Sequence, residues 1–197
     1  MTAQNNMSLR AGLVSAALML GVLAQARAPA VAAANWRIDP ARTHIAFAID
    51  AIGYPRTHGQ FRQFAGRISV DFEHPDKSNV AFHVQSQSVD VGSTSFDDYL
   101  RSVVFLDSTR FPSIDFVSNS VAKVDDHTVR VTGQLTLLGV TRPLSVDVAV
   151  QREGGGGQRL AFLAKTSINR LEFGMNSGFP LVSRDVELVI SSAAVEL

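Results

Sequence analysis

From Gly133 to Gln151 the chain alternates apolar and polar side chains almost without interruption. Leu135 and Leu137 take turns with Gln134 and Thr136, and past Gly139 the residues Leu144, Val146, Val148 and Val150 take turns with Ser145, Asp147 and Gln151. A period of two sends successive side chains to opposite faces of a strand, so this stretch is a hairpin with one apolar and one polar face. Such a hairpin cannot stand alone, because its apolar face has to be covered.

The same rhythm recurs along the chain and supplies the cover. Strands are expected at residues 36–50, 58–72, 79–90, 113–124, 127–137, 141–152, 158–168 and 184–196, eight in all. Turn chemistry separates them: Glu73-His74-Pro75-Asp76, Asp125-Asp126, Gly139 and the glycine run 154–157. That glycine run reads as a hairpin tip, since no Lys-Ser/Thr pair and no helix pattern follow it. Gly59 and Gly66, with Phe61, mark bends or close approaches in the second strand. One segment breaks the rhythm. Residues 93–102 offer an N-cap at Thr94 or Ser95 and place Phe96, Tyr99 and Leu100 at i, i+3 and i+4, the signature of a short helix between strands three and four. Eight antiparallel strands with short links leave long edges unless the sheet closes, so an all-β, eight-stranded antiparallel barrel is expected. A barrel of that size is either filled by its own side chains or left open for one small ligand.

The candidate lining follows from the alternation. Phe47, Ile49, Phe82, Val84, Ile114, Phe116, Leu135, Val146 and Phe162 share the inward face, and Phe96, Tyr99 and Leu100 on the helix would cap or gate one end. Twelve phenylalanines against one tryptophan and two tyrosines make a lining with few hydrogen-bonding demands. Arg170 follows a strand of Leu160, Phe162 and Ile168 and precedes Phe173-Gly174. It either bonds loop carbonyls or Asp185, or meets the head group of a ligand.

The first 34 residues read as a cleaved secretory leader. A polar start ending in Arg10 precedes an apolar run from Ala11 to Ala24 and several Ala-x-Ala exits, with cleavage expected after Ala32 or Ala34. The run is shorter than the roughly 20 residues a membrane-spanning helix needs. With no cysteine to acylate, a lipoprotein anchor is excluded, and no stable transmembrane anchor is expected after cleavage. Residues 35–197 form the folded domain. Removing Arg10 and Arg27 leaves a slight acidic excess, and only three lysines occur in the chain, which argues against nucleic-acid binding.

Catalytic and metal signatures are thin. His44, His58, His74, His83 and His127 show no ligand spacing, and no thiolate is present to assist them. No G-x-S-x-G elbow occurs, and the neighbouring carboxylates Asp97-Asp98 and Asp125-Asp126 diverge rather than share a proton. Neither a catalytic residue nor a metal site is expected.

Six ordered motifs resemble one family. The hairpin turn Gly133…Leu135-Thr136…Gly139-Val140-Thr141-Arg142-Pro143 is similar to that of YceI-like proteins. Ile38-Asp39-Pro40 with Ile45 and Phe47, and Gly59-x-Phe61 with Phe64-x-Gly66-x-Ile68, match in order. So do Asp98-Tyr99-Leu100-Arg101-Ser102 with Phe105-Leu106-Asp107, then Phe111-Pro112-Ser113-Ile114-x-Phe116, and Ile168-Asn169-Arg170 with Phe173-Gly174. The resemblance spans essentially the whole chain after the leader. It implies a lipocalin-like barrel exported to the periplasm, with an apolar lumen for an amphiphile bearing an isoprenoid tail, a polyprenyl lipid or a quinone, and no required cofactor. Two departures stand out. Ala51-Ile52-Gly53 occupies the place of a frequent His-Leu-Gly, and Phe96-Asp97-Asp98-Tyr99-Leu100 that of Arg-Asp-x-His-Leu, so both family histidines and the arginine are missing. The expected function is a periplasmic binding or carrier protein without catalysis. The alternative is a packed barrel serving as an interaction or stress-response module, and a homodimer through a strand face is compatible with either.

Overall fold

The alternating segments pair as consecutive antiparallel neighbours. In the computed structural model, which describes residues 34–153 and 159–197, eleven strand pieces form one sheet. They are β1 (Ala34–Ile38), β2 (His44–Ile49), β3 (Thr57–Phe61), β4 (Phe64–Val70), β5 (Asn79–Gln85), β6 (Val89–Asp90), β7 (Ser113–Lys123), β8 (Thr128–Leu137), β9 (Val140–Glu153), β10 (Arg159–Asn169) and β11 (Asp185–Glu196). Most of the expected leader and the glycine run lie outside the described residues, while Ala34 itself pairs with Val70 at the start of β1.

Eleven pieces make eight strands because the first three are each broken once. β1 and β2 both lie along β11, and β1–β4–β5 continue side by side as β2–β3–β6. The first break follows from Pro40, which has no N–H for a ladder; Asp39 caps the resulting turn by accepting from Ala41 N at 3.0 Å. The third falls at a short turn over Ser86–Ser88. Pairing of β1 with β11 closes the ring into an eight-stranded antiparallel barrel.

Helix α1 (Thr94–Arg101) lies between the third and fourth strands, as the i, i+3, i+4 pattern requires. Its N-cap is Ser93, one residue before Thr94, and the Asp97 carboxylate accepts from Val91 N at 2.7 Å. β6 pairs only with β3 among the described residues, and α1 packs beside β6. There Ser86 is tied to the other side by bonds to the carbonyls of Phe111 and Pro112. A bulge at Asn119 shifts the register of β7 against β8. Ile114 and Phe116 face inward before it, and Val121 and Lys123 after it.

Two apolar clusters brace the interior. Val89, Leu106, Leu135, Leu137, Phe173 and Met175 pack at the helix end, and Trp36, Ile38, Ile68, Leu160 and Ala194 toward the other. On the outer face, cross-strand pairs support the long hairpin. Thr136 meets Thr141 at 2.9 Å, Thr132 meets Ser145 at 2.9 Å, and Arg130 forks onto Asp147 at 2.7 and 2.8 Å.

Candidate functional site

Inward side chains of eight strands enclose a cavity of about 1350 Å³ that runs the length of the barrel. Its lining extends from Tyr54, Phe96 and Val182 at the helix end to Phe72, Pro75 and His127 at the opposite end. The space exceeds the roughly 300–1,000 Å³ of an ordinary small-molecule pocket. Glycine makes part of the room. Gly59 lies opposite Phe47, and a Cβ there would collide with the Phe47 ring, so the ring can lie flat across the neighbouring strand.

All thirteen side chains expected at the site border this one cavity. Phe47, Ile49, Phe82, Val84, Ile114, Phe116, Leu135, Val146 and Phe162 form the wall, as the period of two requires. Phe96, Tyr99 and Leu100 meet it from α1. The Tyr99 ring stands edge-on to Phe105 with centroids 5.1 Å apart, and Phe96 stacks on Tyr99 at 6.2 Å. Tyr99 thus sets a phenol ring on this side of the mouth.

Arg170 borders the cavity with no exposed surface, and its bonds are those of a loop organiser. Nε donates to Ser183 O at 2.7 Å, Nη2 to Val182 O at 3.0 Å, and Nη1 to Met175 O. Asp185 pairs instead with Arg184 at 3.3 Å. Burial pushes the guanidinium pKa down, and no carboxylate opposes that shift. The arginine thus pins the 170–184 loop that forms part of the mouth.

Other lining residues carried weak signals or none. Phe61 shares the inward parity of Gly59 and packs on Phe47 at 5.7 Å between centroids, so the alternation alone could have identified it. Phe105, Leu106, Met175 and Val182 come from connections with no period to read. Val121 is inward only because of the Asn119 bulge.

Polar groups away from the apolar wall, including Asp71 and Asp125 at the far rim of the cavity, bond within their own turns or strand pairs. His83 Nδ1 lies 2.6 Å from Asp115 Oδ1, and Ser113 Oγ donates to Asp115 Oδ2 at 2.6 Å. The carboxylate stands between hydroxyl and imidazole, so the imidazole does not reach the hydroxyl as a general base would. Asp71, Asp90 and Asp125 have pKa values held below the usual carboxylate range, chiefly by backbone N–H groups of their own turns: His74, Gly92 and His127. Among the described residues, no helix is long and apolar enough to cross a membrane.

The architecture has close counterparts. The barrel superposes on the crystal structure of BcnA from Burkholderia cenocepacia with a TM-score of 0.74 at 22% identity, covering 79% of this chain and 98% of that one. A polyisoprenoid binding domain from Saccharophagus degradans, implicated in plant cell wall breakdown, matches at 0.69 with 14% identity, covering 82% and 98%. At these identities the likeness is one of fold. The sequence goes further: Protein YceI of Salmonella arizonae is 34% identical over 169 residues, 83% of this chain and 88% of that protein. The model of the YceI-like domain matches residues 36–194, from the buried Trp36 of β1 to the buried Ala194 of β11. The chain therefore belongs to the YceI-like family.

Proposed function

We propose that the barrel is a periplasmic carrier that holds the tail of an isoprenoid-type amphiphile, a polyprenyl lipid or a quinone, in its lumen without transforming it. The end-to-end apolar cavity carries this reading. Leaving so much apolar wall against water forgoes the transfer free energy, about 25 cal/mol per Å², that a hydrocarbon guest covering it would supply. A lumen of this kind makes physical sense with a guest in it. Each buried methylene of a guest contributes about 0.8 kcal/mol, so a few isoprene units outweigh the cost of ordering the chain. The binding activity named for the Saccharophagus domain of the same fold points to the same guest class. The alternative of a barrel packed solid, acting only through its outer face, does not fit an interior with a cavity of about 1350 Å³.

Native mass spectrometry of protein purified from a membrane-containing host, followed by solvent extraction, tests the proposal. The wild type is expected to carry an extractable isoprenoid. Phe47→Glu or Phe116→Glu, each placing a carboxylate in the apolar wall, is expected to abolish it. A wild type that carries no lipid, and takes up neither a quinone nor a polyprenyl analogue, would sink the proposal.

A further inference from the structure

Among the described residues, five of the seven large apolar side chains that are more than half exposed gather around one mouth of the lumen, the other two being Val117 on β7 and the C-terminal Leu197. Ile52 and Tyr54 are 70% and 77% exposed, Val103 79%, Phe179 54% and Leu181 62%. They belong to three segments, residues 51–55, 102–106 and 177–183, none of which contains a charged residue. The first and third are bonded to each other. Ile52 N donates to Leu181 O at 2.8 Å, Ser183 N donates to Asp50 O at 2.8 Å, and Ala51 bridges to Val182. The second follows α1, where Phe105 packs on Tyr99. Tyr54, Phe105 and Val182 all border the cavity, so the three segments surround its opening at the helix end.

Charge is set back from these tips, where Asp50 and Asp107 border the first two segments and the three flanking arginines are paired. An arginine flanks each segment: Arg56 bonds Glu187 at 2.6 Å, Arg101 bonds Asp98 at 3.0 Å, and Arg184 lies 3.3 Å from Asp185. A charged partner surface would find no free charge on the tips to pair with. A bilayer interface suits this pattern, taking apolar tips into the acyl boundary and leaving paired arginines at head-group depth. Tyrosine at the edge of such a rim has one end suited to each environment.

We propose that this rim docks on a lipid bilayer, so that the guest passes between membrane and lumen through the helix-end mouth without crossing water. The inference rests on the carrier reading. A second copy of the chain seated on the same rim would set mouth against mouth and close the route.

The triple variant Ile52→Ser, Val103→Ser, Leu181→Ser tests it, because none of these side chains borders the cavity. Wild-type protein is expected to co-float with extruded vesicles of phosphatidylethanolamine and phosphatidylglycerol, and the variant to lose at least about tenfold in vesicle partition. Both proteins should unfold alike by circular dichroism and take up geranylgeraniol presented in solution by cyclodextrin. Only the wild type should take it up efficiently from vesicles. A wild type that stays off the vesicles, or a variant that floats equally well, overturns docking. So does a wild-type dimer that the variant dissolves, with no vesicle binding by either. A wild type that floats but takes up no geranylgeraniol from cyclodextrin upholds docking and removes the carrier reading instead.

Discussion

A guanidinium with no exposed surface and no carboxylate beside it is unfavourable unless its N–H groups find acceptors. Arg170 finds three, the carbonyls of Met175, Val182 and Ser183, and so ties one end of the mouth loop to its beginning. Arg170→Met would leave those carbonyls short of a donor. It is expected to lower the free energy of unfolding by about 2–4 kcal/mol in urea titrations. Arg170→Lys should recover only part of that, because an ammonium cannot present the planar fork. A methionine variant as stable as the wild type would show that the loop is held by other means. At this scale the sequence was half legible. Its position between a strand and Phe173-Gly174 marked Arg170 as a charge at a barrel end, with loop carbonyls, Asp185 or a ligand head group as partners. Nothing local chose between them, because two of the three carbonyls come from residues twelve and thirteen positions later.

Along the elements, alternation was the dependable signal, and its failures have identifiable causes. The eight expected strands are all present, yet the first three divide at Pro40, at Arg62-Gln63 and at Ser86–Ser88. Pro40 lies inside the strand expected over 36–50, which its missing N–H breaks; the other two breaks follow from pairing with an already broken neighbour, which no single segment reveals. The bulge at Asn119 is similar, since two register solutions of β7 read equally well until β8 lies beside it. The hairpin turn was easier to see. Leu138 and Gly139 both take positive φ, 52° and 71°, the two-residue turn whose twist matches the flanking strands. Gly139 also faces the Phe111 ring, 2.8 Å from where a Cβ would stand. Gly139→Ala combines a left-handed backbone with that contact. A loss of at least about 1–2 kcal/mol is expected from chemical denaturation, and an unchanged midpoint would contradict the account.

For the whole molecule, the alternation showed that there is an inside but not whether the inside is full, since a packed core and a ligand wall demand the same residues. The space depends on how side chains from opposite walls meet, a distance that only closure of the ring defines. Stability against acid also belongs to this scale, because its carboxylates are scattered over both ends and the outer face. Asp71, Asp90 and Asp125 are held low chiefly by backbone N–H groups, Asp147 by Arg130 and Glu187 by Arg56. Unfolded, they titrate near about 3.9 for Asp and 4.3 for Glu, above their folded values, so the unfolded chain binds more protons in between. Their contribution is therefore complete above about pH 5 and is lost as the pH falls through 4 toward the folded values. Urea midpoints should stay level from neutral pH to that point and then decline; midpoints rising below pH 4 would reverse the sign. The three aligned strand breaks carry a mechanical meaning as well. They run side by side across one wall as a perforation, leaving the β2–β3–β6 panel attached along β11 but ending at the unpaired edge of β6. β8, by contrast, is laddered on both sides along nearly its full length. Deuterium should therefore enter the backbone amides of β3 and β6 well before those of β8, as though the barrel were a rigid trough with one hinged plank.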